Sequence, residues 1–475
     1  MGSFAIIMPV FNKMDYLNQA IESVINQTLD FREHIELIII NDGSTDNSSL
    51  ICKQYKERYP NHIKYVETDN NGPGAARNLG CKMVSEHSDF IGFLDADDTL
   101  ERNALEKVDH FFRDYPVDLA ILPIKYVDSK GVIKDHALNY RFCKGDRIIN
   151  ILEEYSAIHY YAGGVFIKKH LYENNQFSFV TSISYWEDAL SFNQYLIENN
   201  DYGVVTDTAY YYRREDNGHS LVDESWGNMA RFNLLDNGYK KLIDLSLAKF
   251  GTVIPYIQYL LVYHIKLYLY KKNSKIFMNS LKEEERKRFI VSFINIIRYV
   301  DDRIILEQKM NHYFKEFLIS LKRNGWPLKR VHISNNNHRY DKIIIKKKTY
   351  VGLGIKIEGY YSSEFDSLTE NDCIYIKIGK KLKKCPKSEI KKDIKIWGVT
   401  VRDFKHAGFK VFLPLHRLNI EFYLSKNGLI HKLNEFNYYV RVINKLTGLF
   451  KRNKKEIKYG QKVKNYDEES IMFTK

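Results

Sequence analysis

Residues 90–98, FIGFLDADD, join a run of consecutive apolar residues to three carboxylates. An apolar run without alternation is typical of a strand that is covered on both faces of a sheet. In open sheets of parallel strands, ligands bind beyond the carboxyl ends of the strands, so the polar residues that close such a run are candidates for a site. The stretch therefore predicts a buried strand and the sheet edge at which a binding site lies.

Four further apolar runs lie on either side of this stretch and are separated from it by helical patterns. Such alternation predicts an α/β fold with a mostly parallel sheet. The predicted strands are 4–10, 35–40, 63–68, 90–94 and 119–124, and the predicted helices are 14–27, 47–59, 73–84 and 101–114.

The rest of the chain changes character twice. Apolar residues at spacings of three and four predict a helical module from about residue 225 to 326. From 331 to about 424 the alternation predicts a small antiparallel β-sandwich with lysine-rich edges. We therefore predict four segments: an α/β domain (1–222), a helical module (223–330), a β-rich domain (331–430) and a basic tail, partly helical or disordered (431–475).

The charge of the chain is unevenly distributed. Residues 1–220 carry 21 Lys and Arg against 33 Asp and Glu, a balance of −12, so the overall charge of +13 leaves +25 for the remainder. An acidic front half suits a cation-binding site, and a basic rear half suits a polyanion or an anionic membrane. A lysine-rich solvated surface explains the rear half equally well. Nucleic acid is disfavoured as a partner, because the front is acidic and no nucleic-acid-binding motif is present.

Cysteine usage and hydropathy bear on the compartment. The five cysteines are odd in number and lack metal-ligand spacing, so neither a disulfide framework nor a zinc site is predicted, and a reducing cytoplasm fits. The N-terminus shows no signal-peptide pattern. The apolar stretch 253–270 is interrupted by Gln258, His264 and Lys266, which predicts a buried or interfacial helix and disfavours a membrane-spanning one.

Two polar segments follow the predicted strands. On an extended strand end, side chains alternate, so Asp95 and Asp97 are expected on one side and Asp98 on the other. Hard oxygen ligands there suit Mg²⁺ or Mn²⁺ shared with a diphosphate. The loop 70–78, NNGPGAARN, runs into a helix, and its free amides and Arg77 suit a phosphate. It lacks the third glycine of a dinucleotide fingerprint and follows the third strand, which disfavours a Rossmann dehydrogenase.

Four segments in this order resemble the family 2 glycosyltransferases: MPVFN (8–12), NDGSTD (41–46), NNGPGAARN (70–78) and FLDADD (93–98). The resemblance implies a GT-A fold, a Rossmann-like domain that binds a nucleotide-sugar. It also implies that Asp42 binds the base, that Pro9 lies against the base and that Asp95 reaches the ribose. The residues it assigns to the nucleotide-sugar are Pro9, Asp42, Asn70, Arg77, Asp95, Ala96 and Arg214, and those it assigns to a Mn²⁺ or Mg²⁺ ion are Asp97 and His219.

Two later segments also resemble this family. The segment 184–192, SYWEDALSF, matches its ED motif, which implies that Asp188 is the catalytic base and that Glu187 binds the acceptor. Two acidic residues at a helix start are also an ordinary charge preference. The segment 210–220 matches the strand and loop that close over the donor, although His219 fits a solvated loop equally well. Gly163 and Gly164 are expected to let an acceptor approach the backbone.

These observations together predict an inverting glycosyltransferase that moves a sugar from a nucleotide-sugar, a UDP-sugar, to a hydroxyl of a bacterial surface polymer. The segments YWEDALSF and AYYYRRE, with helical and β modules behind them, resemble teichoic acid and capsule enzymes, so the expected acceptor is an anionic glycan or polyol-phosphate. The alternatives are an inactive scaffold that binds anionic polymer and a sugar nucleotidyltransferase. We expect a cytoplasmic protein; residues 436–455 suit peripheral contact with the inner leaflet, and the C-terminal module suits homo-oligomerisation.

Overall fold

The computed structural model describes residues 1–214, 221–326, 328, 341–352, 354–363, 367–379, 381–414, 421–426 and 428–433. These residues form two compact units. The first contains residues 1–265 and 279–304, and the second contains 266–278 and the described residues from 305 onward. The segment predicted as a helical module is therefore shared between the two units.

The first unit is built on an eight-stranded sheet with the order β3-β2-β1-β4-β10-β6-β11-β9. Its first four strands are parallel, so their carboxyl ends lie at one edge. The strands of the first unit are β1 (Phe4–Val10), β2 (Ile35–Asp42), β3 (Ile63–Thr68), β4 (Phe90–Phe93), β5 (Thr99–Leu100), β6 (Leu119–Ile121), β7 (Ile124–Val127), β8 (Ile133–Asp135), β9 (Arg147–Asn150), β10 (Val165–Lys168), β11 (Asp201–Val204) and β12 (Tyr210–Arg213).

The apolar runs predicted as strands are mostly buried, as expected for a sheet covered on both faces, except for the edge strand β3, in which only Ile63 is buried. All of β4 and nearly all of β1 are buried. The predicted strand 119–124 is wrong as one element, since it divides into β6 and β7, which belong to different sheets. Pro123 lies between them and lacks the N–H that a central strand would need. Strand β7, which follows this break, belongs to a second sheet with the order β5-β12-β7-β8.

Helices flank the sheet and form most of the middle of the chain. The four predicted early helices are confirmed with shorter ends. The α-helices are α1 (Leu17–Ile25), α2 (Phe31–His34), α3 (Ser48–Arg58), α4 (Pro73–Lys82), α5 (Ala104–Asp114), α6 (His170–Glu173), α7 (Glu187–Asn199), α8 (Leu221–Glu224), α9 (Ala230–Leu234), α10 (Lys240–Phe250), α11 (Pro255–Ile265), α12 (Lys271–Ser280), α13 (Glu283–Ile297), α14 (Asp302–Glu307) and α15 (His312–Asn324).

The stretch 253–270 forms α11, which is buried along most of its length, followed by a 3₁₀ turn. This confirms the predicted buried helix. Over the described part of the chain, none of the helices combines the length and the apolar character that crossing a membrane requires.

The second unit contains two four-stranded antiparallel sheets, β13-β14-β20-β17 and β16-β15-β21-β22, and a β18-β19 ribbon. Residues from both sheets share one apolar core, in which Phe409 and Phe422 pack at 5.4 Å, so the predicted sandwich is confirmed. The edge strand β16 is fully exposed and carries Lys381, Lys383 and Lys384. Its strands are β13 (Lys342–Val351), β14 (Gly354–Ser362), β15 (Cys373–Ile378), β16 (Lys381–Lys384), β17 (Lys387–Ser388), β18 (Asp393–Ile396), β19 (Val399–Asp403), β20 (Gly408–Pro414), β21 (Glu421–Lys426) and β22 (Leu429–Lys432).

Candidate active site

The carboxyl ends of β1 and β2 meet the loop that precedes α4. Asp42, the last residue of β2, is buried and accepts hydrogen bonds from the backbone amides of Asn71 and Gly72, each at 2.9 Å. Pro9 lies on the neighbouring strand, paired with Ile40, and is partly exposed. Asp42 therefore holds the loop that precedes α4. It is also the residue predicted to bind the base of the nucleotide.

Gly43 brings two loops into close approach. Its φ is +77°, and a Cβ added there would lie 2.9 Å from the backbone nitrogen of Asn70. Any other residue would be strained by its backbone and would push Asn70 away. The NDGSTD turn thus brings the exposed Asn70 close to Gly43, the residue after Asp42, and the assignment of both Asn70 and Asp42 to the donor stays a prediction.

The three carboxylates after β4 lie in a turn. The strand ends at Phe93, and the backbone N–H of Asp98 donates to the carbonyl oxygen of Asp95 at 3.1 Å. The premise of an extended strand end was wrong, because this i to i+3 bond closes a turn. The expected separation is nevertheless found: Asp95 and Asp97 are partly exposed, Ala96 is buried between them, and Asp98 points into the interior.

Asp98 is a structural residue that links this turn to β12. Its side chain accepts hydrogen bonds from the Tyr210 hydroxyl and from the backbone amide of Arg213, both at 2.7 Å. The Tyr210 hydroxyl in turn accepts from the backbone amide of Asp95 at 3.2 Å. Burial, followed by the charges of Asp97 and Asp95, raises the pKa of Asp98 well above its ordinary value. The sequence predicted only that the Asp98 side chain points away from those of Asp95 and Asp97. It did not predict this structural role.

Asp97 faces a lysine that sequence reasoning missed. Its Oδ2 lies 2.5 Å from Nζ of Lys13, and its side chain is 23% exposed. Lys13 follows the MPVFN segment, so this ion pair joins the carboxyl ends of β1 and β4. Among the described residues, this turn included, no three Asp, Glu, His or Cys side chains form a group suited to a metal ion. His219, the second predicted metal ligand, lies outside the described residues.

Arg77 joins the turn after β4 to the start of α7. Its guanidinium lies 2.6 Å from Oδ1 of Asp95 and 3.3 Å from Oε1 of Glu187, and its side chain is almost fully buried. Burial alone would lower the pKa of Arg77, but the charges of Asp95 and Glu187 raise it above its ordinary value. Arg77 was predicted to meet the nucleotide, and the structure uses its two terminal nitrogens to hold two carboxylates.

Glu187 and Asp188 form the first turn of α7. The Oδ2 atom of Asp188 accepts from the backbone amide of Ala162 at 3.2 Å, and the residue as a whole is partly exposed. Burial, with a further contribution from the charge of Glu187, raises the pKa of Asp188 to about 7. The pKa of Glu187 is raised chiefly by burial, against the lowering effect of Arg77. The predicted pair is therefore connected to Asp95 through Arg77.

The glycine pair near Asp188 does not leave room for an acceptor. A Cβ at Gly163 would lie 2.6 Å from the ring of Tyr210, and one at Gly164 would lie 2.9 Å from Cβ of Tyr210. The expectation that an acceptor approaches this backbone was wrong, because the Tyr210 ring already fills the space. The two glycines instead allow Tyr210 to reach Asp98 and Asp95.

The two arginines at the end of β12 take different positions. The guanidinium of Arg214 lies 3.5 Å from the centre of the Tyr126 ring. Arg213, which sequence reasoning passed over, donates from Nε to the carbonyl oxygen of Asp97 at 3.1 Å and also contacts Gln19. Arg213 therefore holds the carboxylate turn, and Arg214 stays a predicted donor ligand.

Comparison with known proteins agrees with this geometry. Residues 5–174 match the model of glycosyl transferase family 2. Over 452 residues the chain is 42% identical to the minor teichoic acid biosynthesis protein GgaA of Bacillus subtilis. This alignment covers 94% of this chain and all of GgaA. It is 30% identical to GgaB of the same organism, over 99% of this chain and 53% of that protein. The chain therefore belongs to glycosyltransferase family 2.

The site and the comparisons therefore define a glycosyltransferase with the GT-A fold. The predicted fold and enzyme class are confirmed. Among solved structures, that of Staphylococcus aureus TarS matches with a TM-score of 0.55 at 15% identity, over 91% of this chain and 77% of that one. The nucleotidyltransferase alternative is not supported.

Proposed function

We propose that this glycosyltransferase transfers a sugar from a UDP-sugar to a hydroxyl of an anionic cell-wall polymer with inversion at the anomeric carbon. The full-length similarity to GgaA, whose name places it in minor teichoic acid biosynthesis, supports the polymer class. TarS, which shares the fold, was crystallised with UDP-GlcNAc, so a UDP-sugar is the donor to test first.

The observation that carries the proposal is the environment of Asp188. An inverting transfer needs one carboxylate to take the proton of the acceptor hydroxyl while that oxygen attacks the anomeric carbon. A base is most effective when its pKa lies near the working pH, and burial beside Glu187 raises the pKa of Asp188 to about 7. The Ala162 amide holds one carboxylate oxygen in place. Asp188 therefore has the basicity and the fixed position of a general base.

The donor half of the proposed site is the sheet edge around Asp42 and Asp95. Carboxylate oxygens of Asp42 accept from the loop amides and retain lone pairs for a base edge. Asp95 is held by Arg77 and is one-third exposed, which leaves an oxygen for a ribose hydroxyl. Since Arg77 also holds Glu187, the donor and acceptor carboxylates keep a fixed relation to each other.

A divalent cation fits beside Asp97. Its carboxylate supplies the hard oxygen that Mg²⁺ and Mn²⁺ prefer, and the ammonium of Lys13 already occupies a cation position there. Sites of this kind use one or two carboxylates together with substrate phosphates, so a cluster of three protein ligands is not required. When bound, such an ion would stabilise the negative charge on the leaving diphosphate. We propose Asp97 as its ligand and His219 as a second.

The acceptor proposal draws on charge. The part of the chain after residue 220 carries a balance of +25, and the exposed lysines of β16 belong to it. Positive surface charge raises the local concentration of a polyol-phosphate or anionic glycan, with an effect that falls as salt is added. We also propose a cytoplasmic location for the protein. Residues 436–455 would contact the inner leaflet of the membrane, and the C-terminal module would form homo-oligomers.

The rate of transfer is expected to depend on pH through Asp188. Because the pKa of Asp188 is raised to about 7, its carboxylate is ionised above that pH and protonated below it, so kcat/KM should fall about tenfold per unit below pH 7. Glu187→Gln removes the neighbouring charge and should move this acid limb to lower pH. A profile that stays level down to pH 5, or is unmoved by Glu187→Gln, would contradict the assignment.

Donor binding is expected to depend on Asp97 and a divalent ion. A ligand that binds the folded protein raises its Tm, so one UDP-sugar with Mn²⁺ should raise the Tm of the wild type. Asp97→Asn should lose the Mn²⁺-dependent part of that shift. Lys13→Met keeps the carboxylate and removes the competing ammonium, so it should keep the shift. No shift with UDP-, GDP- or CDP-sugars, with or without Mn²⁺, would favour the polymer-binding scaffold.

A further inference from the structure

Trp186, the residue immediately before the Glu187–Asp188 pair, has an unusual backbone conformation. Its φ is +70° and its ψ is +18°, in the left-handed region, and its side chain is 5% exposed. For a bulky residue this conformation is strained and persists only where the surroundings enforce it. The helix that presents Asp188 therefore starts from a residue that something else must hold.

Trp186 lies in a cluster of four packed side chains, here called the aromatic bracket, made of Tyr185, Trp186, Tyr239 and His264. The indole of Trp186 stacks on the imidazole of His264, with ring centres 5.3 Å apart and planes at 17°. The ring of Tyr239 meets the same indole edge-on at 5.1 Å. All four residues belong to the first unit. The indole is thus enclosed by side chains from outside the α/β sheet.

His264 lies at the centre of this bracket and uses both ring nitrogens. Its Nε2 is hydrogen-bonded to the hydroxyl of Tyr185 at 3.0 Å, and its Nδ1 is hydrogen-bonded to the hydroxyl of Tyr239. The side chain is buried on α11. Two hydrogen bonds on opposite sides of the imidazole fix both the plane and the rotation of the ring, and so fix the surface on which Trp186 stacks.

The helix that supplies Tyr239 is distorted at that point. Residues Leu235–Tyr239 form a π-helical turn between α9 and α10. Such turns are rare, and they occur frequently at functional sites, where the extra residue redirects side chains. Here the turn ends on the tyrosine that reaches His264. The imidazole of His264 therefore contacts both Tyr239, which ends the π-helical turn, and the strained Trp186.

We propose that His264 is a positioning residue for the transfer reaction: it holds Trp186 in its left-handed conformation and thereby sets the place of Asp188 at the start of α7. This proposal rests on the proposed role of Asp188 as the base. It gives the helical residues after the α/β sheet a part in catalysis without contact to substrate. Misplacement of a reacting group by about 1 Å costs roughly 100-fold in rate, so the effect belongs in kcat.

The test compares His264→Phe, which keeps a ring and loses both hydrogen bonds, with Tyr239→Phe and Tyr185→Phe, which each lose one. Full-length proteins are assayed for UDP release from UDP-GlcNAc, UDP-GalNAc and UDP-glucose with poly(ribitol phosphate) as acceptor. We expect kcat to fall about 10- to 100-fold in His264→Phe and less in the tyrosine variants. We expect the KM for donor to stay within about twofold, and the acid limb of the pH profile to move.

His62→Phe is the matched control, because His62 precedes β3 at the opposite end of the strands and packs on Phe31. Full kcat in His264→Phe, or equal losses in the control, would overturn the proposal. If His264→Phe does not fold, the two tyrosine variants decide, and wild-type kcat and pH profile in both would overturn it. If Asp188→Asn loses activity and the bracket variants do not, the positioning role of His264 is refuted and the role of Asp188 as the base is not. Activity retained in Asp188→Asn would refute the base assignment.

Discussion

Replacement of Asp188 by asparagine is expected to lower kcat for sugar transfer about 10²- to 10⁴-fold, the range for removal of a general base. The amide cannot take the acceptor proton, but its carbonyl oxygen can still accept from the Ala162 amide, so the fold should be retained. Donor binding should also be retained, because the donor half of the site lies around Asp42 and Asp95. Single-turnover transfer and donor affinity, measured on the same preparation, separate the two effects.

The control for this variant is Asp207→Asn, an aspartate whose side chain is 82% exposed. A surface substitution of this kind should leave kcat unchanged. If Asp188→Asn keeps more than about a tenth of the wild-type kcat, another group takes the proton and the proposed chemistry is wrong.

Replacement of Arg77 by methionine is expected to cause a large loss of stability. The change leaves the carboxylates of Asp95 and Glu187 without their shared cation in a mostly buried place. Breaking such a pair costs about 3–5 kcal/mol, and the lower end applies because Asp95 is one-third exposed. For a unit of this size, a loss of roughly 3 kcal/mol lowers the Tm by about 5 °C. Thermal unfolding followed by circular dichroism measures this directly.

Arg58→Met serves as the matched control, because Arg58 is 64% exposed and lies 3.8 Å from Glu22. An exposed pair of this kind contributes about 0–1 kcal/mol, so its Tm should change little. Equal Tm values for the Arg77 and Arg58 variants would contradict the view that Arg77 holds the site together.

Much of the first unit could be predicted from sequence, because the information is local. Runs of consecutive apolar residues correspond to β1, β2 and β4, since a strand buried on both faces disfavours polar positions, whereas β3 lies at the sheet edge and carries Lys64 and Glu67. The start of a helix at Glu187 was implied by resemblance to the family's ED motif, and acidic residues at a helix N-terminus agree with it. The break at Pro123 was available in the same way, because proline is disfavoured inside a central strand.

The missed contacts join residues that are far apart in the chain. Lys13 meets Asp97 across 84 positions, and Arg77 meets Glu187 across 110. No local pattern distinguishes such a lysine or arginine from a solvated one, because the pairing depends on which strand ends become neighbours. The strand order that brings β1 beside β4 is a property of the whole sheet. A basic residue three positions after a strand end was the one available signal for Lys13.

The stereochemistry of the product shows whether the transfer inverts the anomeric carbon, as a general base at Asp188 requires. The full-length protein is incubated with Mn²⁺, the UDP-sugar identified by thermal shift and poly(ribitol phosphate), and the new anomeric proton is read by NMR. We expect a glycosidic bond of anomeric configuration opposite to that of the donor, because Asp188 activates the acceptor for a single displacement. A product that keeps the donor's configuration would contradict it, since retention needs a second displacement or a different geometry from the one built around Asp188.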